Sequence, residues 1–84
     1  MEDVFISSVG TKHYITDKDL RQAYRDLIKA GYSVGDAQDL ALDICIARFE
    51  ASVISISDLV YQNTRYAKQL SLLATLNTKL QPQL

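Results

Sequence analysis

The chain has 84 residues, 48 % of them hydrophobic and 23 % charged, with a formal net charge of −1. That length holds one small domain, and the apolar content excludes a disordered chain. The near-zero net charge supplies no overall field to drive it onto nucleic acid or an anionic membrane, and the single cysteine, Cys45, excludes an internal disulfide.

The N-terminal stretch Val4–Ser8, the pair Val9-Gly10 and the stretch Thr11–Ile15 are β-rich around a glycine, which reads as a hairpin or an extended arm. Two isolated strands are marginal in water, so the segment is expected to pack on the rest of the chain, pair with another subunit or stay mobile. The acidic N-terminus and the lack of a long apolar run argue against a signal peptide or membrane anchor, and a cytoplasmic location is expected.

Three hydroxyl residues are each followed three positions later by an acid: Thr16 with Asp19, Ser33 with Asp36, and Ser55 with Asp58. In such a pair the hydroxyl accepts from a free backbone N–H of the first helical turn, and the acid favours the positive end of the helix dipole. Three helices are therefore expected: about Asp17–Ala30, stopped by Gly31; about Val34–Ser52; and about Ser57–Lys79, which contains neither glycine nor proline. The expected fold is mainly α, a three-helix bundle with an N-terminal extended or β-hairpin segment and a long C-terminal helix, forming a single domain with a frayed tail from Gln81.

The first helix places Leu20, Ala23, Tyr24, Leu27 and Ile28 on one side, the spacing of an amphipathic helix. Opposite lie Arg21, Arg25 and Lys29, with Lys18 close by, as a basic stripe. The second helix is apolar almost all round, marking it as the central element, and carries an acidic stripe of Asp36, Asp39, Asp43 and Glu50. The two stripes read as solvated faces, as ion pairs across an antiparallel helix pair, or as docking sites for a charged partner.

The third helix carries a heptad track, Leu59, Asn63, Tyr66, Leu70, Leu73, Asn77 and Leu80, with Leu76 alongside. After Leu70 it is apolar over more of its circumference than one neighbouring helix covers, which predicts self-association there, a dimer being favoured. If buried, Asn63 and Asn77 would set the register of a parallel or an antiparallel pair.

No catalytic, metal or nucleotide motif stands out, and no enzyme, cofactor or metal site is expected. His13 is the only histidine, and Cys45 sits among apolar neighbours without the basic group that would activate a thiol. The Leu27–Leu40 stretch loosely resembles a helix-turn-helix, but its second helix would present Asp36, Asp39 and Asp43 to phosphates. The expectation is a small non-enzymatic protein–protein interaction module that self-associates and modulates a second protein, as an inhibitor, antitoxin or accessory regulator. Partner-binding residues are Arg21, Arg25, Lys29, Asp36, Asp39 and Asp43. The alternative is a dimeric nucleic-acid-binding transcriptional regulator using the basic stripe. A small-ligand sponge with sites at subunit interfaces is a third reading.

Overall fold

The computed structural model describes residues 3–7, 9–53 and 66–81. Two strands, β1 (Asp3–Ile6) and β2 (Lys12–Ile15), precede three helices, α1 (Asp17–Lys29), α2 (Val34–Val53) and α3 (Ala67–Leu80). The fold is mainly helical with a small N-terminal hairpin.

Local chemistry sets most element ends. Thr16 caps α1 reciprocally: its hydroxyl accepts from the Asp19 N–H at 3.2 Å, while the Asp19 carboxylate accepts from the Thr16 N–H at 3.1 Å. Such a cap is worth about 1 kcal/mol. At the other end Gly31 takes φ 103°, Tyr32 N–H donates to Leu27 C=O and Gly31 N–H to Ile28 C=O, both at 3.0 Å. This pairing satisfies the last free carbonyls, and the left-handed φ is why a glycine stands there. Ser33 caps α2 by accepting from the Asp36 N–H at 3.1 Å. The third expected cap, Ser55 with Asp58, lies outside the described residues.

The strands pair antiparallel with Val4 opposite Tyr14 and Phe5 opposite His13. Gly10, at φ 85°, lets the connection reverse, and the Ser7 hydroxyl, buried, ties it by contacts to the Thr11 hydroxyl at 2.6 Å and the Thr11 N–H at 3.1 Å. Strand alternation then sends Phe5 and Ile15 into the core, with His13 half-buried on the same face, and leaves Val4, Ile6 and Tyr14 outside.

Helix α2 packs against both α1 and α3. Ala23 and Leu27 of α1, Ala37, Ala41, Ile44, Cys45 and Ala47 of α2, and Leu73 and Leu76 of α3 form one core with Phe5 and Ile15 of the hairpin. The hairpin is fastened by an aromatic cluster in which Phe5 meets Tyr66 edge-on at 5.0 Å and His13 stacks on Phe49 at 4.9 Å. Tyr66 also donates its hydroxyl to the Ile6 carbonyl at 2.9 Å.

One expectation about the third helix is corrected. It does not run unbroken from Ser57 to Lys79, because Tyr66 has left helical geometry (φ −116°, ψ 23°) where it is anchored to the hairpin, and α3 starts at Ala67. Its 14 residues span about 21 Å at 1.5 Å each. Of the leucines from Leu70 on, Leu73 and Leu76 are buried in the chain's own core, and Leu70, Leu72 and Leu80 pack against it while remaining partly exposed. Two neighbouring helices, not one, share the task of covering them.

Leu76 is fully buried at the centre of this arrangement, so Leu76→Ala is expected to lower the unfolding free energy by about 2–5 kcal/mol. Thr16→Ala, which removes only a cap, is expected to lower it by about 1 kcal/mol. Urea denaturation followed by circular dichroism measures both; equal losses would contradict the packing described.

Candidate functional site

At 100° per residue, Lys18, Arg21, Arg25 and Lys29 fall within an arc of about 80° on α1, diametrically opposite the buried Ala23 and Leu27. All four are exposed, and none makes an ion pair among the described residues. Arg21 touches only the Asp17 backbone carbonyl, at 3.4 Å. Ile28, 38 % exposed, flanks the row three residues beyond Arg25. The amphipathic spacing of α1 dictates this outcome: burying Leu20, Ala23 and Leu27 leaves the cations the far side of the cylinder.

Two of the three carboxylates of α1 are engaged elsewhere, and the third, Asp17, is exposed at the margin of the row one turn before Arg21 without forming an ion pair among the described residues. Asp19 is taken by the Thr16 cap. Asp26 binds the Arg48 guanidinium at 2.6 Å through one oxygen and the Gln22 amide at 3.1 Å through the other. This ion pair joins the acid-bearing side of α1 to the base of α2, the reverse of an alignment between the basic and acidic stripes. With both side chains partly exposed it is worth on the order of 1 kcal/mol or less.

The acidic stripe is shorter than its spacing suggests. Asp36 and Asp39 are exposed, and Asp43 is half-buried with the Gln69 amide 3.5 Å away. Glu50 is corrected from a solvated position to a fully buried one, and it is not left without a partner there. The reason is tertiary: the line of acids runs down α2 into the end where Phe5 and His13 of the hairpin lie against Phe49.

The residues expected to mediate self-association fare differently. Leu59 and Asn63 lie outside the described residues. Tyr66, Leu70, Leu73, Leu76 and Leu80 turn toward the chain's own core, whereas Asn77 is exposed. Near Asn77, Lys79 places its ammonium 4.3 Å above the Tyr32 ring, pinning the end of α3 to the α1–α2 turn.

A cleft of about 320 Å³ opens between α1 and α2, lined by Asp19, Gln22, Cys45, Arg48, Phe49 and Ser52. Its polar side chains are already committed: Gln22 and Arg48 to Asp26, Asp19 to Thr16, and Ser52 to the Phe49 carbonyl at 2.7 Å. Cys45 forms part of its wall but is almost wholly buried. Burial raises its thiol from the ordinary 9.0 to about 11, helped by the charge of Asp19 and opposed by Arg48. At neutral pH it is a protonated apolar group rather than a nucleophile. Neither the Asp26–Arg48 pair nor this cleft was foreseeable from sequence spacing, since the paired residues stand 22 positions apart. The only hint is that Arg48 is the one cation on α2.

Among the described residues, no group of three or more histidine, cysteine, aspartate or glutamate side chains is placed to hold a metal ion. No helix among them is long and apolar enough to cross a membrane. Comparison with family models, curated proteins and solved structures returned no match for this chain.

The folded protein holds the Cys45 proton more tightly than the unfolded chain does. Its contribution to stability is therefore complete below about pH 9 and is lost as pH rises through about 11. A fall in melting temperature between those limits that Cys45→Ala reduces is the expected result. Thiol labelling should be slow in native protein at pH 8 and fast in urea; rapid native labelling would contradict the burial.

Proposed function

We propose that this chain is a small non-enzymatic interaction module that modulates a partner protein by docking the outward face of α1 on it, in the manner of an inhibitor, antitoxin or accessory regulator. One observation carries the reading: Lys18, Arg21, Arg25 and Lys29 form an exposed row without ion-pair partners, on a helix fixed at both ends. A row on an already formed helix spares the cost of ordering its backbone on binding, and its field speeds encounter with an opposite surface. Self-association through α3, where Leu70, Leu72 and Leu80 stay partly exposed and Asn77 is exposed, would add to this reading, but the row is the surface on which it rests.

The same cations support a second reading, a nucleic-acid-binding regulator that contacts phosphates. Such binding would be independent of sequence and would weaken steeply with salt.

Affinity capture from a lysate of the source cells, with the full chain and with Arg21→Glu/Arg25→Glu, separates the two. A protein enriched by the native chain and lost from the variant, under conditions where both melt alike, is the expected outcome. Recovery that disappears on nuclease treatment would replace this reading with the second.

A further inference from the structure

We infer that the partner segment received by the α1 row is an acidic amphipathic helix, laid along α1 with carboxylates facing the cations and an apolar residue beside Ile28. The inference rests on the docking role proposed above and names the chemistry of what docks.

The spacing of the row is the first argument. From Lys18 to Arg21, Arg25 and Lys29 the steps are three, four and four residues, which place the charges over about 16 Å of a straight helix axis. A second helix running antiparallel, with acids at i, i+4, i+8 and i+11, repeats those steps at the same rise. Every cation then meets a carboxylate, and the two helix dipoles oppose each other favourably. A DNA backbone follows a helical path and curves away from a straight ridge, so its phosphates do not keep the row's steps.

Charge placement is the second. The row is a local concentration of positive charge, bordered by Asp17, on a chain of net charge −1, and Asp36 and Asp39 stand exposed at the start of the neighbouring helix. A helix about 10 Å wide needs only the row, whereas a duplex draws on an overall positive charge that this chain lacks.

Ile28 is the third. The residue is 38 % exposed at the margin of the row, although the rest of its helix buries its aliphatic side chains more fully. A purely electrostatic phosphate contact has no use for an isoleucine, but the apolar edge of an amphipathic helix does. Charge would supply the encounter and register, and the apolar contact would slow release.

The test uses the full chain and fluorescence anisotropy with four probes: a helical peptide carrying glutamates at i, i+4, i+8 and i+11 with a leucine alongside, its glutamine counterpart, a polyglutamate coil of equal charge, and a short DNA duplex. The glutamate helix is expected to bind at least about tenfold more tightly than the other three and to weaken as salt is raised. Arg21→Glu/Arg25→Glu is expected to abolish that preference, Ile28→Ser to weaken binding without changing its salt dependence, and Asp36→Asn/Asp39→Asn to leave binding of the glutamate helix at least as tight. Each variant is checked for native melting.

Equal binding of the glutamate and glutamine helices would overturn the inference, as would equal binding of the coil, binding of the duplex alone, or no binding at all. If lysate capture still yields a protein partner dependent on the row, the docking role stands and only the acidic-helix partner falls. If capture depends on nucleic acid, the docking role falls too.

Discussion

Helix α2 has little to offer water along most of its length: Ala37, Ala41, Ile44, Cys45 and Ala47 are buried, and Leu40, Ile46 and Phe49 are partly so. An element apolar over that much of its circumference cannot be covered from one side, so the chain must bring something to at least two of its faces. Helix α1 takes one and α3 another, while the hairpin lies over the end that carries Phe49. The alanines matter here. At Ala23 on α1 and Ala37, Ala41 and Ala47 on α2, a small side chain lets the backbones approach closely, and the bulk of Leu27, Ile44, Leu73 and Leu76 fills what remains.

The same constraint decides what is left for other molecules. Because Leu73 and Leu76 of α3 are drawn onto α2 and α1, the helix contributes stability to the bundle. Because α1 turns Ala23 and Leu27 inward, its cations are turned outward together. The Asp26–Arg48 pair then reinforces this polarity by removing a carboxylate from the neighbourhood of the row. Binding potential therefore concentrates on the back of α1, a surface generated by the packing of its front.

A two-stranded hairpin has no independent stability to speak of, and here it is held by side chains rather than by strand pairing. Phe5 and Ile15 enter the core, the ring of His13 lies on Phe49, and Tyr66 reaches the Ile6 carbonyl across 60 residues of sequence. That last contact also sets where α3 begins. Tyr66 departs from helical geometry at the point where it is tied to the hairpin, and the helix starts one residue later. A single anchor thus joins the first element of the chain to the last.

Much of the fold is legible in the sequence, because the signals involved are local. Thr16 with Asp19, Ser33, Gly10 and Gly31 act on backbone groups within a few residues of themselves, so their hydrogen bonds and torsions follow from composition at short range. The 3.6-residue period of α1 likewise determines which side of that helix is basic. What spacing could not decide is who faces whom. The heptad track shows that Leu70, Leu73, Leu76 and Leu80 need a covering surface, but a leucine is satisfied equally by its own chain or another, and only the assembled bundle assigns Leu73 and Leu76 to α1 and α2. Glu50 belongs to a surface line by periodicity and to the interior by virtue of what lies over the end of α2. Asp26 and Arg48, 22 residues apart, acquire their pairing from the approach of two helices. Capping, periodicity and the basic row were thus determined by sequence alone. The burial of Leu73, Leu76 and Glu50 and the freedom of the row from ion pairs were decided by tertiary structure, because burial and charge pairing are properties of contacts between segments rather than of any segment.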